Sequence, residues 1–313
     1  MYRFISSRDI TELHTAYKKL YKHDLNKKWD KYVQKCPDLG GAMKPNMTAK
    51  KLLVADFGQL VDVYFHYLNY INSLSEAQRT AVNNAAEKVF TYSSFSTKIA
   101  NFLLDPENKF EIHNCVYCDT ECVSSFIKKG KRVRRFETEH VLDKGKCPLV
   151  ALSLHNFVPS CGTCNGPKVK GTNTIGTTEV EIKCLSPTNP SYNFWHKVLF
   201  VVNPRLPNIA DIKREDKPYN YEIDFYYKDR LYERSVELFG LKERYNNDYL
   251  MDALKLLDDK DRLTPKFVAD AAAIFGMTSE EYLENHFMVA KYRKEHKPFR
   301  KIREDLLGIT HLE

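Results

Sequence analysis

The sequence predicts a mainly α-helical protein with a small α+β insert, and three observations point to it. Apolar residues recur at helical spacing through the first hundred residues and again from Arg230 onward. Between these regions lies a stretch framed by two Cys-x-x-Cys pairs, Cys115/Cys118 and Cys161/Cys164, in which short runs alternate as strands do. The positive charge gathers in the same stretch. Ten Lys or Arg stand between Phe126 and Gly171 against Glu137, Glu139 and Asp143, a local excess of +7 that equals the net charge of the whole chain. Such a concentration suggests a polyanionic partner.

Four regions follow from this reading: an N-terminal helical region over 1–108, the cysteine-framed insert over 109–171, a connecting loop with short strands over 172–229, and a C-terminal helical region over 230–313. In the first, Ser6 or Ser7 can cap a helix carrying Ile10, Leu13, Tyr17, Leu20 and Tyr21 and running on toward Tyr32. A second helix starts near Thr48, and its apolar positions, from Leu52 to Tyr67, are too many for one stripe, which predicts deep burial. Ser75 and Gln78 form a capping box that opens a third. A fourth covers Ser94 to Leu104 and stops at Asp105-Pro106. No catalytic pattern occurs here, so the region reads as scaffold or partner-docking bundle.

The segment Thr172 to Pro190 is rich in Thr, Asn and Pro and reads as loop, with at most a short strand at Val180 to Cys184. Trp195 to Asn203 and Tyr221 to Tyr227 read as strands. Helical spacing returns through Val236, Leu241, Tyr245 and Leu254. Thr264-Pro265 supplies an N-cap with Pro in the first turn, and Thr278 with Glu281 a capping box opening a long helix that Pro298 interrupts. No apolar run approaches the roughly 20 residues that span a membrane, and the first residues lack a signal-peptide pattern. A soluble, cytoplasmic protein with no membrane partner is expected.

Eight cysteines without a secretion signal favour metal ligation over disulfides. Two Cys-x-x-Cys pairs can each grip one tetrahedral ion from a tight turn, so Cys115, Cys118, Cys161 and Cys164 are expected to hold a structural Zn2+, worth on the order of 10 kcal/mol to a segment too charged to build its own core. Cys122 is the competing ligand; Cys36, Cys147 and Cys184 read as ordinary isolated cysteines. A plain zinc ribbon does not account for the polar residues inside the frame. A strand from Arg135 ends on Glu139 and His140, a second covers Leu154 to Val158, and a helix can open after Asn165. This order gathers Glu139, His140, Asn156 and Asn165. His155, beside Asn156, points to the opposite face and reads as structural.

Cys-x-x-Cys, Glu-His, Asn, and Cys-x-x-Cys-Asn followed by Lys resembles the HNH endonuclease family, over roughly 115–170. The resemblance implies a ββα-metal (HNH) module with a four-cysteine zinc site between the helical N- and C-terminal regions. It implies His140 as general base, Glu139 and Asn165 as ligands of a catalytic Mg2+ or Mn2+, and Asn156 as the brace of the loop between the strands. Arg134, Arg135, Lys144 and Lys168 become candidates for contacts to DNA phosphates. Two positions depart from the commoner pattern, Asn165 in place of His and Glu139 in place of Asp, and both still offer a hard oxygen. The expected activity is hydrolysis of DNA phosphodiester bonds; the alternative is a non-catalytic, zinc-stabilised module that binds nucleic acid or protein. A helical body, this module and a helical tail are together similar to nucleases of prokaryotic anti-phage defence, including the HNH subunit of Septu-type systems that works beside an ATPase. A partner ATPase or other defence-system subunit is therefore also expected.

Overall fold

The structure, a computed structural model, describes residues 1–21, 24–205 and 214–309. It divides into two compact units, one made of Tyr2–Ile112 with Val123–Tyr192, the other of Met1, His113–Cys122 and Asn193–Glu313.

In the first unit the opening helix is α1, Ile10–Lys18, and its cap is Asp9, whose side chain accepts from the Thr11 and Glu12 backbone N–H groups. The expected continuation toward Tyr32 is instead a separate helix, α2, Leu25–Lys35, because Asp24 caps the chain afresh. Likewise Thr48 caps only the turn Ala49–Leu52, and the long helix α3, Phe57–Asn72, starts at the capping box of Asp56 and Gln59. Seven of its side chains are buried, from Phe57 to Ile71, which matches the crowding of apolar positions in the sequence. Helix α4, Glu76–Val89, opens at the Ser75–Gln78 box, and α5, Ser96–Leu103, ends before Asp105-Pro106.

Beyond these helices the chain forms two small antiparallel ladders. Strands β1, Ser125–Lys128, and β2, Lys131–Arg134, pair through a turn in which Lys129 and Gly130 both have positive φ, 50° and 73°. That is the backbone handedness a two-residue hairpin requires, and it leaves Phe126 and Ile127 exposed among the cations. Strands β3, Glu137–His140, and β4, Phe157–Ser160, pair with Glu139 opposite Val158 and His140 opposite Phe157. Leu154–Asn156, expected as strand, is a 3-10 turn leading into β4. The segment expected as loop or strand near Val180 is helix α6, Glu179–Leu185, opened by a capping box of Thr178 and Glu181.

The second unit is built on a hairpin of β5, Val198–Pro204, and β6, Tyr221–Tyr227, whose inward residues Val198, Phe200, Ile223 and Phe225 are buried. Residues 206–213, in the predicted connecting region, lie outside the described residues. Six helices follow from Leu241 onward: α7, Leu241–Asp248; α8, Leu250–Asp261; α9, Pro265–Ile274, capped by Thr264; α10, Ser279–His286, opened by the Thr278–Glu281 box; α11, Val289–Glu295; and α12, Arg300–Leu307. The long helix expected after Thr278 is broken by left-handed residues at Met288 and His296. Among the described residues no helix is long and apolar enough to cross a membrane.

Candidate functional site

Cys115, Cys118, Cys161 and Cys164 are all buried, and their Sγ atoms lie within 4.8 Å of one another. Tetrahedral bonds of about 2.3 Å set sulfurs about 3.8 Å apart, so small side-chain rotations close these four on one Zn2+. Each pair sits in a tight turn. The Asp119 N–H donates to the Cys115 carbonyl at 3.0 Å across the first, with Asp119 at φ 57°, and the Cys164 N–H donates to Cys161 Sγ at 3.3 Å across the second. The Thr120 hydroxyl donates to Cys118 Sγ at 3.2 Å, a further bond suited to a thiolate. The competitor Cys122 is exposed, Cys36 and Cys184 are half-buried, and Cys147 is buried with its thiol pKa pushed up by burial. None of these four belongs to the cluster.

The polar set is built on β3 and β4. Asn156, fully buried, accepts from the Leu142 N–H at 2.7 Å and donates to the carbonyls of Leu142 at 3.0 Å and Val150 at 3.1 Å. One amide thus ties both sides of the 141–156 loop, which also holds the Val141 N–H on the Asn156 carbonyl. That loop delivers the Ala151 carbonyl to His140 Nε2 at 3.1 Å. A carbonyl can only accept, so Nε2 carries the proton and Nδ1 keeps its lone pair. The imidazole edge meets Tyr92 and Phe157 at ring-centroid distances of 4.5 and 4.8 Å. Burial first, and the charges of Lys144 and Lys170 after it, hold the pKa of His140 down to about 3, so the ring is neutral at any ordinary pH.

Glu139 finds a different partner. Its Oε1 lies 2.6 Å from the Nζ of Lys170, with the two side chains 2% and 1% exposed. Lys170 Nζ also donates to the His140 carbonyl at 3.0 Å, and its backbone N–H donates to the Cys164 carbonyl at 3.2 Å. Asn165 ends the helical turn Gly162–Asn165, half-buried, and the helix expected after it is absent because the Cys161-to-Cys164 turn is itself the helical turn, with Gly166 extended behind it. One carboxylate and one amide oxygen suit a hard divalent cation. Such an ion has to share Glu139 with the Lys170 ammonium or displace it. Among the described residues, the one cluster of His, Cys, Asp or Glu spaced for an ion is the four-cysteine group.

Of the expected phosphate contacts, two are drawn toward His140. Lys144 Nζ lies 5.2 Å over the Tyr92 ring, and Arg134 donates to Thr138 Oγ1 at 3.1 Å, while the Tyr92 hydroxyl donates to the Thr138 carbonyl at 3.4 Å. Arg135 and Lys168 are exposed. His155 turns away and bonds His14, Nε2 to Nε2 at 2.9 Å. Sequence reasoning counted Lys170 only among the local cations and passed over Tyr92; the two lysines of Lys168-Val-Lys170 are equivalent by composition and spacing, and only packing tells them apart. Compared with family models, curated proteins and solved structures, the chain matches none.

Proposed function

We propose that this protein is a metal-dependent HNH-type endonuclease that hydrolyses phosphodiester bonds of DNA. The observation that carries the reading is the His140 ring, fixed as a neutral imidazole with Nδ1 as acceptor by the Ala151 carbonyl, on a loop held by Asn156. In this reading His140 Nδ1 takes a proton from water, the resulting hydroxide adds to phosphorus, and the P–O3′ bond breaks, the departing 3′ oxygen taking a proton from solvent. A phosphate beside the ring favours its protonated form and raises the depressed pKa toward the range useful for a base. Glu139 and Asn165 would hold Mg2+ or Mn2+, whose contribution when bound is positive charge against the phosphate. Arg134 and Lys144 would attract the backbone, and the exposed β1–β2 hairpin, with Lys128, Lys129, Lys131 and Arg132, would add a cationic grip. A structural Zn2+ at the four cysteines sets the frame.

A second reading, a zinc-stabilised binding module without catalysis, is favoured by the buried ion pair of Glu139 with Lys170. Supercoiled plasmid incubated with Mg2+ or Mn2+ separates the two. Nicking by the wild type that is lost in His140→Ala and Asn165→Ala supports the nuclease; nicking retained in both variants refutes the assignment of these residues. We further propose a role in prokaryotic anti-phage defence with a partner ATPase. The exposed Phe267, Ile274 and Phe275 on and after α9 offer a partner an apolar contact. Co-purification from the native operon tests this, and recovery of no ATPase counts against it.

A further inference from the structure

The helical part of the first unit contains a lysine-lined cleft that the site described above does not use. A cavity of about 640 Å³ opens between α2, the end of α4 and the start of α5. Its floor is apolar, formed by Tyr21, Leu25, Val89 and Phe95, with the Tyr21 and Phe95 rings 4.6 Å apart. Its walls are Lys27, Lys28 and Lys31 from α2 and Lys98 from α5. A second cavity of about 480 Å³ shares Tyr21 and Leu25 with the first and adds Lys18, Lys19 and Lys50. The acidic residue in either lining is Asp24, and its carboxylate is engaged in capping α2.

Seven ammonium groups around two adjoining cavities repel one another, and Lys27 and Lys31, one helical turn apart, are a destabilising pair in an isolated helix. Among the described residues none of the seven is ion-paired with a carboxylate. Lys28 Nζ instead donates to the Val89 carbonyl at 3.2 Å, and its pKa is lowered by burial. Lys98 Nζ stands 5.2 Å over the Phe95 ring. Cations around an apolar floor on which the half-buried Phe95 ring lies match a chain of phosphates carrying flat bases, because lysines track the backbone and an aromatic ring takes bases of any sequence. The far edge of the larger cavity is formed by Thr91 and Ser94, which flank Tyr92, the residue packed on His140.

We infer that this cleft binds a single strand of nucleic acid and leads it past Tyr92 to His140. The direction of the strand rests on the nuclease reading; the binding does not. The test uses the zinc-loaded full chain and a fluorescein-labelled dT15, with anisotropy read without Mg2+ or Mn2+ so that cutting plays no part. Lys27→Gln/Lys31→Gln/Lys98→Gln is compared with an equal change of charge outside the cleft, Lys35→Gln/Lys88→Gln/Lys109→Gln. The cleft variant is expected to lose about tenfold in affinity, and its log–log salt slope to fall by about 2, at about 0.7 for each phosphate contact of a single strand. Equal losses in the two variants overturn the inference, as does displacement of dT15 by ATP or inorganic triphosphate at micromolar concentration, which makes the cleft a small-molecule site. Plasmid nicking by the same proteins separates the claims. Cleft-dependent binding without nicking by the wild type removes the nuclease and keeps the cleft; nicking with unchanged binding in the cleft variant removes the cleft.

Discussion

Replacing Lys170 by Met removes a buried ammonium and leaves its length of hydrocarbon in place. The group lost lies 2.6 Å from Glu139 and 3.0 Å from the His140 carbonyl, in a site where both charged side chains are almost wholly enclosed. Breaking one side of such a pair strands the other charge at low dielectric and costs about 3–5 kcal/mol, most of it the penalty on Glu139 and a smaller part the bond to the carbonyl. The double variant Glu139→Gln/Lys170→Met has no charge left to strand. Neutral replacement of a buried pair is commonly near neutral in stability, so the double variant should recover at least half of that loss. Urea unfolding of zinc-loaded protein, followed by circular dichroism, measures all four corners of the cycle. A loss below about 1 kcal/mol in Lys170→Met, or a double variant that simply adds the two single losses, refutes the view that these two charges stabilise one another.

Three further outcomes are expected. Asn156→Ala orphans the Leu142 N–H and carbonyl and the Val150 carbonyl, at a cost of about 3 kcal/mol, and it frees the Ala151 carbonyl from its position on His140. A fall in melting temperature together with loss of nicking checks it; a stable, active Asn156→Ala protein contradicts it. Metal analysis should find one zinc per chain in wild type and in Cys122→Ser, and none retained in Cys161→Ser, with chelation lowering the melting temperature in step. His155 is held neutral by burial and by His14, with its folded pKa down to about 4 against an ordinary value of 6.5. The unfolded chain therefore binds the extra proton between those values, so stability is complete above pH 6.5 and is lost as pH falls toward 4, at about 1.4 kcal/mol per pH unit for each such group. His155→Gln should flatten that slope by one group; an unchanged slope rejects the assignment.

Local chemistry made some elements readable and hid others. The boxes at Ser75 and Thr278 and the Thr264-Pro265 cap depend only on neighbours in sequence, and each opens a helix where expected. The Thr178–Glu181 box obeys the same rule, yet Thr and Asn content around it pointed to loop, so α6 went unforeseen. Asp9 displaced Ser6 and Ser7 as the first cap, and Asp24 split the expected helix in two, because a carboxylate at a helix N-terminus accepts two backbone donors at once. The cysteine pairs were legible because their spacing is set by a tetrahedral ion rather than by the fold around them. Lys170 was not legible, since its value depends on a burial that Lys168, of the same type two residues away, does not share. The cation-lined cleft was likewise invisible: the lysines of the two adjoining cavities are spread from Lys18 to Lys98, and only folding gathers them.

The position of Lys170 has one more consequence. Its main chain is fastened to Cys164 and its ammonium to Glu139 and the carbonyl of His140, so one residue works as a crosspiece between the second cysteine turn and β3. Whatever rearranges Cys164, whether loss of its ion or oxidation of its sulfur, shifts the anchor of that crosspiece and drags the carboxylate with it. The integrity of the thiolate cluster is thereby reported, within a few ångströms and without any moving domain, to Glu139 and His140.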